Sequence, residues 1–148
     1  MRTPPDFFKF PLSIHELEPG EKIGSVSTCA TIHSIPTLAF RADSASSGSF
    51  CYSADTTYCP QVVKLARDVD LLVHEATFLE DQADIAELTR HSTARFAGQV
   101  GREAAAKRLV LFHIPPPNEH REHEFPEEAA RGFGSSVTVS NDMDHFEF

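Results

Sequence analysis

The chain has 148 residues, of which 41% are hydrophobic and 24% are charged, and this composition is typical of one folded domain and not of a disordered segment. Its net charge of −9, from 22 acidic and 13 basic residues, argues against a broad electrostatic grip on nucleic acid. Three cysteines without C-x-x-C spacing argue against a disulfide framework and against a cysteine-rich zinc site.

The sequence predicts a cytoplasmic protein that makes no contact with a membrane. Apolar runs such as residues 109–112 are far shorter than the roughly 20 residues that cross a bilayer. Residues 1–8 have no apolar secretory core, so we expect no export.

The first third of the chain has the pattern of an antiparallel sheet. A strand is predicted over residues 24–32. A hairpin follows, in which the Ser- and Gly-rich segment 43–49 joins apolar strands at 37–41 and 49–53.

The remainder alternates between helical and strand patterns. Helices are predicted from Pro60 to Ala66, over 81–89, over 93–106 and over 127–131. Buried strands are predicted over 70–74, 108–112 and 137–139, with a loop at the three prolines 115–117. This alternation predicts an α/β layer with adjacent parallel strands, joined to the antiparallel part in one mixed fold.

Reactive side chains follow the predicted strands at their carboxyl ends, where ligands gather in open α/β sheets. Asp55, the pair His74-Glu75, and His113 each stand at such an end. His91 lies where a helix begins, and Ser92 or Thr93 would cap that helix and leave N–H groups for an anion.

Each of these residues also has a purely structural interpretation. Asp55 would serve as a helix cap or an Asx-turn, and Glu75 as a surface charge. A histidine at a strand end, such as His74 or His113, is often a hydrogen-bonded structural residue, and His91 would only decorate a helix terminus.

The order of four segments resembles the carboxyl-terminal half of metallo-β-lactamase-fold hydrolases, and ribonuclease Z and its phosphodiesterase relatives most of all. The segments are Ser53-Ala54-Asp55-Thr56, His74-Glu75-Ala76-Thr77-Phe78, His91-Ser92-Thr93-Ala94 and Leu111-Phe112-His113. The flanking residues 66–73, 106–111 and 137–142 are similar to the family's pattern as well, so the resemblance runs from about Ile23 to the end. It implies that residues 1–148 form one domain, half of an αββα sandwich, with a mixed sheet and helices on one face.

The resemblance also implies roles for four residues. Asp55 would match the carboxylate that bridges two metal ions, and His113 a ligand of the second ion. The ions would be zinc, with manganese as an alternative, and would activate a hydroxide for cleavage of a phosphodiester or other ester. Glu75 would orient His91, and His91 would donate a proton to the leaving oxygen.

The chain departs from the family pattern in ways that bear on activity and substrate. The motif H-x-H-x-D-H and the histidine ligand that follows it are not found, and His15, His33 and His74 are interpreted as standing apart. Asp55 and His113 are two ligands, where a catalytic zinc takes three protein ligands, so we expect an incomplete metal centre.

Other departures concern the surroundings of the site. Ala54 replaces the family's glycine, and residues 114–118 (Ile-Pro-Pro-Pro-Asn) replace a pattern that resembles Ser-Pro-Arg-Tyr. The arm that grips tRNA has no counterpart. These departures and the acidic charge favour a small phosphodiester or ester over tRNA.

Two hypotheses of different classes remain. The chain is one half of a metal-dependent hydrolase, or it is a non-catalytic descendant that acts as an interaction or structural module. In both cases half a sandwich would expose an apolar sheet face, so we expect a homo-oligomer or a complementing amino-terminal half.

Overall fold

A seven-stranded mixed sheet forms the centre of the computed structural model, which describes residue 10 and residues 13–148. The strands are β1 (Lys22–Ile23), β2 (Val26–Ala30), β3 (Leu38–Ser44), β4 (Gly48–Tyr52), β5 (Leu71–Glu75), β6 (Leu109–Phe112) and β7 (Thr138–Val139). They lie in the sheet in chain order. Strands β1 to β4 are antiparallel neighbours, whereas β4 to β7 are parallel. The four parallel strands β4 to β7 therefore end at the same edge of the sheet.

Four α-helices connect and cover the strands. They are α1 (Pro60–Leu65), α2 (Ala83–Thr89), α3 (Ala94–Glu103) and α4 (Glu124–Phe133), and short 3₁₀-helices span Glu80–Gln82 and Pro116–Arg121. Val62 of α1, Val100 of α3 and Phe125 of α4 are fully buried in one core with Cys51 and Leu72 of the sheet. The core thus lies between one sheet face and three helices.

Helices α3 and α4 approach each other at two glycines. A Cβ at Gly98 would overlap the carbonyl oxygen of Ala129, and a Cβ at Gly132 would lie 2.6 Å from the carbonyl oxygen of Arg95. Since backbone atoms cannot move aside as a flexible side chain can, these positions require glycine. The close contact fixes α3, and with it the residues just before its first turn.

The opposite sheet face carries a row of aromatic side chains. Phe40, Phe50, Tyr52 and Phe112 alternate along their strands with residues that face the core, so they point to the other side. They are partly exposed; the rings of Tyr52 and Phe112 stack with centroids 4.8 Å apart, and those of Phe40 and Tyr52 are tilted with centroids 5.5 Å apart. The predicted α/β class, a mixed sheet with helices on one face, is confirmed.

The predicted elements are found, with differences at their ends. Helix α4 begins three residues before the predicted start, because Pro126 is tolerated in a first helical turn. The loop predicted at the three prolines 115–117 is partly a 3₁₀-helix, which begins at Pro116, and the two-residue strand β1 was not predicted. The predicted absence of a secretory segment concerns residues 1–8, which lie outside the described residues. No helix among the described residues has the length and apolar character to span a membrane.

Candidate active site

Four side chains predicted to carry chemistry converge at the edge where the parallel strands end. Asp55 follows β4, Glu75 ends β5 and His113 follows β6. His91 precedes α3, and an isolated bridge between Phe78 and Thr93 holds its segment beside the end of β5. The convergence follows from topology, since the carboxyl ends of parallel neighbours lie side by side.

Glu75 is a fully buried carboxylate that accepts four hydrogen bonds. Oε1 accepts from the backbone N–H of Thr56 at 3.0 Å and pairs with Nδ1 of His91 at 2.8 Å. Oε2 accepts from the backbone N–H of Thr77 at 3.1 Å and from its hydroxyl at 2.9 Å. The predicted Glu75–His91 contact is therefore present, and the interpretation of Glu75 as a surface charge is wrong.

Asp55 and His113 form a second, more exposed pair. Nδ1 of His113 lies 3.3 Å from Oδ1 of Asp55, and the two side chains are 43% and 36% exposed. His113 has φ 67°, and Ala54, just before Asp55, has φ 51°. This left-handed conformation favours glycine and costs other residues roughly 1–2 kcal/mol, which explains why the family pattern has glycine at the position of Ala54. Asp55 also does not cap α1, whose cap residue is Cys59.

The structure adds His33, which the sequence analysis set aside. Its Nε2 lies 3.9 Å from Oδ2 of Asp55, and its ring meets that of His91 edge to face at 4.8 Å. Its Nδ1 lies 3.2 Å from the backbone carbonyl of Arg90, an acceptor, so Nδ1 carries the proton and Nε2 faces Asp55. The interpretation that His33 stands apart is wrong. The one sequence feature that could have marked His33 as a site residue is its position directly after the predicted strand 24–32.

The cluster has the donor chemistry of a metal site. Two sets of three residues each bring their possible ligand atoms within 4.8 Å of one another. One set is His33, Asp55 and His91; the other is Glu75, His91 and His113. Imidazole and carboxylate are the ligands that zinc and neighbouring divalent metals take. The residues therefore fit the metal that the family resemblance implies.

Residues around the cluster hold its segments in place. Thr93 caps α3 by accepting the N–H of Phe96 at 3.2 Å, while the hydroxyl of buried Ser92 donates to the carbonyl of Thr56 at 2.7 Å. Of the two cap candidates, Thr93 is the cap. Asn118 is buried and donates to the carbonyl of Thr77 at 3.4 Å, which anchors the proline-rich segment beside the site.

Two neighbouring groups have shifted pKa values. Burial raises the pKa of Tyr52, and the negative charge of Asp55 adds to the effect, so the phenol stays protonated beside the site. Burial lowers the pKa of His74, whose Nδ1 lies 2.8 Å from the carbonyl of Glu75. Its Nε2 has no hydrogen-bond partner within the described part of the chain. His74 is a neutral structural residue, as its strand-end position allowed.

The model of the β-lactamase superfamily domain matches residues 2–114. The chain belongs to this superfamily. Two of the curated proteins that the chain resembles are named ribonuclease Z: the protein of Myxococcus xanthus is 46% identical over 90 residues, and that of Haloarcula marismortui is 41% identical over 93 residues. The superfamily implied by the resemblance of the four segments is thereby confirmed, and so is the resemblance to ribonuclease Z.

Solved structures agree with the fold. The metallo-β-lactamase fold protein YhfI of Bacillus subtilis matches with a TM-score of 0.79 and 26% identity, over 89% of this chain and 54% of that one. The short form of human tRNase Z matches with a TM-score of 0.64 and 28% identity, over 80% of this chain and 41% of that one.

These superfamily matches cover only part of the relatives. The alignments span 61% and 63% of this chain, but 29% and 30% of the two ribonuclease Z proteins. The aligned part of the chain therefore spans less than a third of the length of these two relatives, and the chain covers about half of the first solved structure.

Proposed function

We propose that this chain carries one half of the catalytic site of a metal-dependent phosphodiesterase of the ribonuclease Z type. One observation carries the proposal: Asp55, Glu75, His91 and His113 come from four separate segments and meet with His33 in a single cluster. Residues 1–148 would be the carboxyl-terminal half of the family's domain.

His33, Asp55 and His113 are the residues that would hold metal. Asp55 has one oxygen toward each histidine, Oδ2 toward His33 and Oδ1 toward His113, which suits a carboxylate shared by two ions. When bound, divalent zinc or manganese would supply Lewis-acid stabilisation of negative charge and a hydroxide nucleophile near neutral pH. His33 would take the place of the histidine ligand after the main motif, which was not identified from the sequence.

Glu75 and His91 would handle the leaving group. Because the carboxylate of Glu75 accepts the Nδ1 proton of His91, the ring is held in one orientation. Nε2 of His91 then donates a proton to the leaving oxygen. Glu75 acts through His91 and would not touch the substrate.

A small phosphodiester is the substrate class that the surroundings favour. The chain carries a net charge of −9, and the segment after His113 is proline-rich, anchored by Asn118 and without the arginine of the family pattern. These features support a small diester over tRNA.

The aromatic sheet face supports a partner for the same site. Phe40, Phe50, Tyr52 and Phe112 lie partly exposed on the face without helices, where the other half of a sandwich would lie. A complementing amino-terminal half would cover this face and bring the remaining ligands, and a second copy of the chain is the alternative occupant. The same face also favours the second candidate function, an interaction module without catalysis.

A complementation experiment tests the proposal. The purified chain is mixed with the amino-terminal half of the Myxococcus xanthus ribonuclease Z, and hydrolysis of bis(4-nitrophenyl) phosphate is followed with Zn²⁺ or Mn²⁺. We expect metal-dependent turnover that Asp55→Ala abolishes, while Glu128→Gln, outside the site, retains it. Stable association of the two halves with no turnover would favour the interaction module instead.

A further inference from the structure

The hydroxyl of Thr77 occupies a central position between the two functional pairs. Thr77 follows Glu75 by two residues and is buried, with 7% exposure. Its Oγ1 lies 2.9 Å from Oε2 of Glu75, 3.2 Å from Nδ1 of His91 and 3.3 Å from Nδ1 of His113. One hydroxyl thus contacts both members of the proton-donor pair and a residue proposed to bind metal.

The direction of these hydrogen bonds follows from the chemistry of the groups. A carboxylate only accepts, so the Thr77 hydroxyl must donate its single proton to Glu75. The lone pairs of Oγ1 are then available to accept. His91 has a shorter bond from Nδ1 to Oε1 of Glu75, at 2.8 Å, which leaves a Thr77 lone pair for the Nδ1–H of His113.

We propose that Thr77 is a positioning residue that carries the influence of Glu75 to His113. Nδ1–H of His113 donates to the Thr77 hydroxyl, which donates to Oε2 of Glu75, while Nδ1–H of His91 donates directly to Oε1. One buried carboxylate therefore fixes two imidazoles in the same tautomer, with Nε2 unprotonated when the ring is neutral. In His91 that nitrogen serves the leaving group, and in His113 it serves the metal.

The need for this device arises from the position of Asp55. Oδ1 of Asp55 also lies 3.3 Å from Nδ1 of His113 and competes for its proton. In the proposed function Asp55 gives its oxygens to metal, so Thr77 is the acceptor that remains. Histidines that bind metal nearly always donate their second ring N–H to such a partner, and loss of the partner typically lowers metal affinity 10–100-fold. The metal part of this inference rests on the proposed function, whereas the tautomer part does not.

The test compares the wild-type chain with Thr77→Val, which removes the hydroxyl at nearly constant shape, and with Thr77→Ser, which keeps it. Long-range ¹H–¹⁵N correlation spectra report which nitrogen of His113 carries the proton. They are recorded without metal, at a pH where the rings are neutral, and with Asp55→Ala added to all three proteins, so that the competing acceptor 3.3 Å from Nδ1 of His113 is removed. In this background we expect Nδ1–H with the native Thr77 and with Thr77→Ser, and Nε2–H with Thr77→Val. Nε2–H with the native Thr77, or Nδ1–H unchanged with Thr77→Val, would overturn the proposal.

Calorimetric titration with Zn²⁺ of the wild type, Thr77→Val and Thr77→Ser, all with Asp55 intact, adds an independent measurement. We expect the affinity to fall about 10–100-fold in Thr77→Val and to be retained in Thr77→Ser. If the tautomers behave as expected but no protein binds Zn²⁺, the proposed function loses its metal while the role of Thr77 in orienting His113 stands. Should Thr77→Val not fold, Thr77→Ala replaces it, and the tautomer with the native Thr77 still decides.

Discussion

Replacing Glu75 by glutamine should destabilise the chain even though the two side chains have nearly the same shape. Each carboxylate oxygen of Glu75 accepts a backbone N–H, Oε1 from Thr56 and Oε2 from Thr77. A glutamine offers one oxygen and one NH₂ group. Whichever way the amide is turned, its NH₂ group faces one of these two backbone donors.

The magnitude follows from which partners can adapt. The hydroxyl of Thr77 can rotate and the ring of His91 can change tautomer, so both can accept from an NH₂ group, but a backbone N–H cannot reverse. One buried N–H is therefore left unpaired, at about 1–3 kcal/mol, and the bond that the other N–H keeps loses its charge, at about 1 kcal/mol. We expect Glu75→Gln to lower the free energy of unfolding by about 2–4 kcal/mol, a large part of the roughly 5–15 kcal/mol of a typical domain.

Urea unfolding at neutral pH, followed by circular dichroism, measures this loss. Glu128→Gln is the matched control: Glu128 accepts the backbone N–H of Glu80 at 2.9 Å, and a glutamine keeps an oxygen for that bond. The control should change stability by less than about 0.5 kcal/mol, as surface substitutions usually do. If Glu75→Gln changes stability as little as Glu128→Gln, the assignment of four accepted bonds to Glu75 is wrong.

Three further predictions concern packing, pH and catalysis. Gly98→Ala should lower the free energy of unfolding by about 1–3 kcal/mol or more, because the added Cβ would meet the backbone of α4. Replacing the exposed Arg102 of the same helix by alanine should not lower it. Equal urea midpoints for the two variants would refute the close approach of α3 and α4. Between pH 7.5 and 5.5 the wild type should lose about 1 kcal/mol more stability than His74→Leu. The reason is that the unfolded chain binds a proton on His74 below the ordinary pKa of about 6.5, whereas the folded chain does not. Parallel plots of stability against pH for the two proteins would contradict this. In the complemented enzyme, His91→Ala should keep its metal and lower turnover roughly 10²–10⁴-fold. The loss should be smaller on nitrophenyl diesters, whose leaving group needs little protonation. Loss of metal from the variant would show that His91 is a metal ligand and not the proton donor.

The part of the site that could be predicted from sequence is the part set by parallel strands. A buried apolar run marks each strand, and polar residues at its carboxyl end lie at the sheet edge, so the positions of Asp55, Glu75 and His113 follow from the strand pattern. The family resemblance supplied their roles. What the pattern could not show is how deeply each is buried, because the burial of Glu75 depends on Thr56 and Thr77, which lie in different loops.

His33 could not be predicted in the same way, because its position depends on contacts distant in sequence. It follows a strand of the antiparallel part, and antiparallel strands end at both edges of a sheet. The loop that carries it is held by two bonds to the segment after β4: the N–H of Ile32 donates to the hydroxyl of Thr56 at 3.1 Å, and the N–H of Thr57 donates to the carbonyl of Ile32 at 3.1 Å. These bonds bring His33 next to Asp55.

The structure also changes which residues distinguish a hydrolase from a non-catalytic module. Glu75 satisfies two buried backbone donors, so the fold needs it whether or not the chain takes part in catalysis. Asp55 and His113 are different, because both are substantially exposed and His113 has a left-handed backbone that costs roughly 1–2 kcal/mol. Strain of this kind is stored at functional sites more often than elsewhere. Asp55 and His113, and not the buried Glu75, therefore favour the hydrolase hypothesis.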